Sequence, residues 1–309
     1  MNDHAQVTME PDQLDVLALQ RRASAEEAAE LPRPEFILGV KYSEVVYTFA
    51  TGSIPFMQAD PTRLREDLYA RFELTLDKIN MAPLLSEMSA EALAALPFDD
   101  CLRRLVKADN SVLTFEAGKF PVRHGFVPIR KVKINIESIQ VGVEGVSKIA
   151  EVVAQEVAER IWAAAGALGE ATKRWEDIAP GLALTSYGTS TRVQLPFPFE
   201  ALLAPGVRDF LAKSVTSGPS YGSCMGPLSQ YNMFQPAQNT SVVATLDELD
   251  IQVNRFDTTT GYSYDGLLKI GVVARNDFGT GRVLVTSPMQ YDRHVECLRA
   301  LLDSCTDSH

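Results

Sequence analysis

The segment KVKINIESIQVGVEGVSKIAEVVAQEVAERIWAAAGAL, residues 131–168, carries both of the hydrophobic periods found in this chain. Its first part has period two. Val132, Ile134 and Ile136 alternate with Lys131, Lys133, Asn135 and Glu137, which is the pattern of a strand with one buried face. Beyond Ser138 the apolar parity flips to Ile139, Val141 and Val143. The period then becomes helical. Val146, Ile149, Val153, Val157, Ile161, Ala164 and Leu168 share one stripe, so a long amphipathic helix is predicted over about 145–168. Ala150, Ala154, Ala158 and Ala163 keep that helix slim enough for close packing. Strands followed directly by a core helix set the theme for the rest.

Upstream, residues 1–35 read as a peripheral N-terminal arm, acidic, alanine-rich and closed by Pro32 and Pro34. A helix over roughly 12–30 is expected there, with Val16, Leu14 and Leu17 as a narrow apolar stripe. An ordered arm must dock on something, and a neighbouring subunit is one candidate. From Phe36 to Phe49 the alternation of a strand returns. Its apolar set changes from Phe36, Leu38, Val40 and Tyr42 to Val45, Tyr47 and Phe49, which predicts a bulge or break near Ser43–Glu44. Asp60-Pro61 opens a helix whose stripe runs through Leu64, Leu68, Phe72, Leu76 and Ile79. Shorter helices, each behind a capping residue, are expected at 89–96 and 99–107.

Downstream of Pro180-Gly181 a β-like run reaches Leu195, then a proline-punctuated helical region covers 199–213. A β-meander is predicted after that, with strands near 241–256, 262–275 and 282–286 and Gly/Asp turns between them. Ser287-Pro288 is expected to cap a last helix through Leu302. The mixed order argues for an α+β fold: mixed or antiparallel sheet packed by amphipathic helices, with a C-terminal β-meander. Residues 36–309 are expected to form a single large domain, with a possible subdomain boundary near 176–181.

The chain has 309 residues, 46% of them hydrophobic and 22% charged, which suits a core-forming protein and excludes collagen-like, coiled-coil or wholly disordered classes. Its formal net charge of −11 opposes non-specific binding to nucleic acid or anionic membrane. No run of 18 uncharged apolar residues predicts a membrane span, and the acidic N-terminal region does not resemble a signal peptide. Cys101, Cys224, Cys297 and Cys305 form no CxxC pair, so reduced thiols and a cytoplasmic location are expected.

Two segments depart from the acidic average. Residues 117–136 contain no acid, while Lys119, Arg123, Arg130, Lys131 and Lys133 supply five bases beside His124, with Phe120 and Phe126 interleaved. Lys131 and Lys133 share a strand face and could grip an anion together. The plain reading is a solvated face paired with nearby carboxylates. The second segment, residues 214–246, carries no charge and includes Tyr221, Met225, Tyr231, Met233 and Phe234 among small polar residues. Aromatics and methionines of that kind suit a protein interface. Within it, Ser223 and Cys224 stand between Gly222 and Gly226, a turn that could present a nucleophile. The spacing is not the G-x-S-x-G elbow, and such a cysteine is more often inert.

Only His124 and His294 lie away from the termini, so histidine-assisted catalysis depends on one of them. His294 and Cys297 share a helix face, but no further ligand stands at metal-binding spacing, so no metal is expected. Phosphate-binding motifs are absent and no cofactor is expected. The leading expectation is a non-catalytic protein that works by association, as a homo-oligomer or as part of a larger cytoplasmic complex. One alternative is an enzyme or binding protein for a small anionic ligand, using the 119–133 segment with Cys224, Ser223 and His124. Another is a nucleic-acid-contacting subunit. No membrane partner is expected.

Overall fold

The computed structural model describes residues 11–77, 79, 82–108, 112–166, 173–197, 202, 231–234, 242–244, 250–256, 263–271 and 281–306. The fold is α+β with antiparallel strand pairing. The chain divides into two compact units, residues 1–32 with 42–187 and residues 33–41 with 188–309.

In the first unit the helices are α1 (Pro11–Glu30), α2 (Pro61–Phe72), α3 (Ala82–Leu85), α4 (Ala90–Ala94), α5 (Phe98–Lys107), α6 (Ser147–Ala165) and α7 (Trp175–Ile178). Its strands are β1 (Ile37–Phe49), β2 (Thr75–Leu76), β3 (Leu113–Val122), β4 (Gly125–Ile134) and β5 (Ser138–Val143), with β6 (Leu182–Gln194) beginning here. Both β1 and β6 have residues in each unit. The sheet order is β2-β3-β4-β5-β1, every neighbour antiparallel.

The 131–168 segment forms β4, a turn, β5 and α6 in succession. The parity flip at Ser138 is a hairpin, with Ile134 opposite Ile139 and Val132 opposite Val141. Asn135 makes the turn, its Oδ1 accepting from the backbone N–H of Glu137 at 2.9 Å and of Ser138 at 2.6 Å. The long helix is α6, and Ile149, Val153, Val157 and Ile161 are fully buried where it packs on β5. Leu64, Leu68 and Phe72 of α2 belong to the same core, as do Phe115, Val132, Ile139 and Val141 from the sheet.

Four local expectations need correction. The expected bulge or break near Ser43–Glu44 does not appear in the β1–β5 ladder. β1 pairs β5 without a shift from Ser43 opposite Val143 to Thr48 opposite Ser138. Its odd positions Ile37, Ser43, Val45, Tyr47 and Phe49 are buried, and the even set that suggested a slip lies on the other face, with Leu38 half-exposed. The helix opened by Asp60-Pro61 stops at Phe72. Asp60 caps it by accepting from Thr62 N at 3.0 Å, and Glu73 turns left-handed (φ 56°), so Leu76 pairs with Phe115 in β2. The helix expected at 99–107 starts at Phe98, which puts Asp99 in its first turn instead of at its cap. Ser287 does not cap the last helix either; it is the final residue of β11 (Arg282–Ser287), and α8 runs Tyr291–Thr306.

The N-terminal arm is helical and docks on α6 of its own chain. Of its expected stripe Val16 is exposed and Leu17 is half-buried, while the Leu14 side chain lies outside the described ones; Ala25 is buried.

In the second unit, β6, β11, β10 (Ser263–Gly271) and β9 (Asp250–Phe256) lie in that order, all antiparallel, which is the expected meander. Val193, Val283, Val285, Ile270, Leu298 and Leu302 are buried among these strands and α8. β7 (Tyr231–Phe234) and β8 (Val242–Ala244) form a separate antiparallel pair. The first predicted meander strand is thus two strands, β8 and β9. The helical region expected at 199–213 lies outside the described residues apart from residue 202.

Candidate functional site

The basic segment is the hairpin β3–β4. Val122 faces Gly125, so Arg123 and His124 form its two-residue turn, both exposed. Lys131 and Lys133 project from one face of β4, where alternation put them. Lys131 is in register with Glu116 of β3 and Gly142 of β5, and Lys133 with Thr114 and Gln140.

Carboxylates meet most of this charge. Lys119 Nζ lies 2.5 Å from Glu73 Oε2, at the left-handed end of α2, and also over the Phe126 ring. Lys131 Nζ is 3.9 Å from Glu116 Oε1. The register of β4 against β5 shifts between Ile129 and Lys131, and Arg130 on that bulge pairs with Glu144. Arg123 and Lys133 have no ion-pair partner among the described residues. On the same sheet face as Lys131 and Lys133, Tyr42 lies across Gly142, whose missing side chain leaves room for the ring. Tyr42 donates its hydroxyl to Glu44 Oε2 at 2.5 Å, and Gln140 Nε2 donates to the same oxygen at 2.7 Å. Burial, then the hydrogen bond to Glu44, pushes the Tyr42 phenol above its ordinary pKa. A phenol held protonated beside a carboxylate is a donor, not a base.

The nucleophile candidates Cys224 and Ser223, and Tyr221 and Met225 with them, lie outside the described residues. Tyr231, Met233 and Phe234 belong to β7. Tyr231 is opposite Ala244, Asn232 opposite Val243 and Phe234 opposite Val242, and the register shifts between Asn232 and Phe234.

Sequence reasoning did not find the hydroxyl partners of His294. His294 of α8 is fully buried, with Nε2 2.7 Å from Thr191 Oγ1 on β6 and Nδ1 2.7 Å from Ser287 Oγ on β11. Thr191 and Ser287 are buried too, and neighbouring Thr189 donates to the Met289 carbonyl at 2.7 Å. Loss of solvent pulls the imidazole down from its usual 6.5 to about 4, so it is neutral at pH 7. One ring nitrogen then donates to one hydroxyl and the other accepts from the second. The Ser–His distance is that of a nucleophile and its base, yet nothing reaches the pair from solvent. It ties α8 to the ends of β6 and β11. Burial raises the thiol of Cys297, the partner that spacing gave His294 for a metal. Among the described residues no cluster of three or more potential metal ligands occurs.

No helix among the described residues is long and apolar enough to cross a membrane. Comparison of the chain with protein-family models and with curated proteins gives no match.

Proposed function

We propose that this chain works by association, as a subunit that joins copies of itself or a larger cytoplasmic complex through its uncharged 214–246 segment. The observation that carries this reading is the β7–β8 pair. It falls wholly inside the uncharged segment, and among the described residues its strands hydrogen-bond only to each other. A lone two-stranded ribbon is marginal in water and gains stability when something packs against it. Its sequence, Tyr231-Asn-Met-Phe234, supplies aromatic and thioether side chains that a partner can cover without desolvating any charge. Tyr221 and Met225 extend the same composition.

Other observations agree with this reading. Carboxylate pairing of Lys119, Arg130 and Lys131 leaves less positive charge for a small anion or nucleic acid than the bare sequence promised. Cys101, Cys297 and Cys305 are unpaired thiols, as in a reducing compartment.

Size-exclusion chromatography with light scattering, at rising protein concentration, gives the test. A dimer or larger species is expected, and Tyr231→Glu or Phe234→Glu shifts it toward monomer while circular dichroism stays unchanged. A strict monomer at every concentration, together with no partner on pull-down, sinks the proposal.

A further inference from the structure

The arm helix α1 is held to its unit by charge. Among its described side chains only Ala25 is fully buried. Arg21 donates from Nη1 to Gln155 Oε1 at 3.2 Å and from Nη2 to Glu159 Oε1 at 2.9 Å. Its Nε stands 3.7 Å from Glu176 Oε1 of α7. Arg22 Nε lies 3.0 Å from Glu156 Oε1, and its guanidinium covers the Phe120 ring.

Glu156 is already taken. Arg71 of α2 grips it from Nε at 2.6 Å and from Nη2 at 3.2 Å. Two guanidiniums therefore share one carboxylate, and Arg22 Nη2 is buried with no hydrogen-bond partner among the described residues. Desolvation, with Arg71 adding to it, lowers the Arg22 pKa against the pull of Glu156 and Glu26. The Arg22 contact thus carries an uncompensated cost. The opposite side of α6 is different, because its buried valines and isoleucines anchor it to the sheet independently of charge.

We propose that α1 is a displaceable strap, latched over α6 by its Arg21–Glu159 and Arg22–Glu156 pairs and released as one body when those pairs are screened or competed away. Release uncovers the Glu156–Glu159 row and Phe120. The linker that follows contains Pro32 and Pro34, which keep it from extending the helix. Leu31 N bonds back to Glu27 O at 3.1 Å, so the helix ends before the prolines.

Hydrogen exchange by mass spectrometry on the full chain, from 0.05 to 1 M NaCl, reads the latch. Protection of the 11–30 peptide falls roughly tenfold or more with salt, as for several partly exposed ion pairs acting together, while α6 and β3–β5 stay protected. The Trp175 ring stacks on Tyr47 with centroids 5.1 Å apart, and Gln155 joins Tyr47 to Arg21, so fluorescence of a Trp162→Phe protein follows the same salt midpoint. Arg21→Glu loses protection already at low salt, and adding Glu159→Arg restores it. Salt-independent protection of α1, exchange of α1 only together with α6, or failure of the charge swap to restore protection each overturn the proposal.

Discussion

Protonation of His294 makes acid selectively costly for the second unit. In the folded chain its imidazole titrates near 4, against 6.5 when exposed, and burial alone is the cause. Between those values the unfolded chain binds a proton that the folded chain does not. Stability is therefore whole above about pH 6.5, declines as pH falls toward 4, and levels off below that. The gap of 2.5 units, at 1.36 kcal/mol per unit, corresponds to about 3 kcal/mol. Urea titrations at pH 7, 5 and 4, read by hydrogen exchange of the 281–306 peptide, measure it. His294→Gln supplies the control, because glutamine keeps one donor and one acceptor without titrating. At pH 7 that variant loses about 1–2 kcal/mol for imperfect hydrogen bonds. By pH 4 the deficit closes or reverses, since the wild type alone has paid the protonation cost. Parallel profiles for wild type and His294→Gln from pH 7 to 4 refute the reasoning, and α8 is then held by its apolar side chains alone.

Glu156→Gln removes the shared counter-charge of Arg22 and Arg71 and costs on the order of 3 kcal/mol in the first unit, measured by urea denaturation; a loss below 0.5 kcal/mol shows that water replaces the carboxylate. Lys119→Ala changes stability by less than about 1 kcal/mol, because the Lys119–Glu73 pair is about half exposed on both sides and solvent screens it. Gly281→Ala destabilises the second unit by about 1–3 kcal/mol: residue 281 sits at φ 70°, and a Cβ there meets the Phe197 carbonyl at 2.5 Å and the Leu195 carbonyl at 2.9 Å. In Gly142→Ala the new Cβ meets the Tyr42 ring, which must turn aside, so the variant costs about 1 kcal/mol through the lost Tyr42–Glu44 bond, and in a Tyr42→Phe background that difference shrinks.

Where one face of an element is buried and the other wet, the sequence reads directly. α6 and the end of β4 are of this kind: Ile149, Val153, Val157 and Ile161 are buried, as are Val132 and Ile134, while Ile136 falls beyond the strand and is half-buried, and Leu168 lies outside the described residues. The method fails where apolar residues occupy both faces. In β1, Leu38 and Val40 are apolar but not buried, whereas Ser43, Val45, Tyr47 and Phe49 are, so apolar side chains on the less sheltered face suggested a change of parity. Helix ends fail for another reason. Leu76 continues the stripe of α2 at the right spacing, yet the left-handed Glu73 exits the helix without the glycine or asparagine that usually announces such a stop. The His294 cluster was illegible because its partners lie 103 and 7 residues away on two strands. Spacing within α8 suggested Cys297 instead, which shares the helix but not the hydrogen bonds. Partners of the basic segment were half legible. Glu116 and Glu144 become neighbours of Lys131 and Arg130 only once the register of β3–β4–β5 is known.

The two units hold their helices by opposite electrostatic means, so two solution variables address them separately. α8 is tied by a neutral imidazole between hydroxyls, which salt does not screen but acid must charge. α1 is tied by guanidiniums on carboxylates, an attraction that weakens as salt rises. Raising salt at pH 7 thus loosens residues 11–30 and leaves 281–306 protected. Lowering pH from 7 to 5 at low salt loosens residues 281–306. A single perturbation that opens both helices with one midpoint would mean that the units unfold as one cooperative body, and neither local attachment would then be the controlling one.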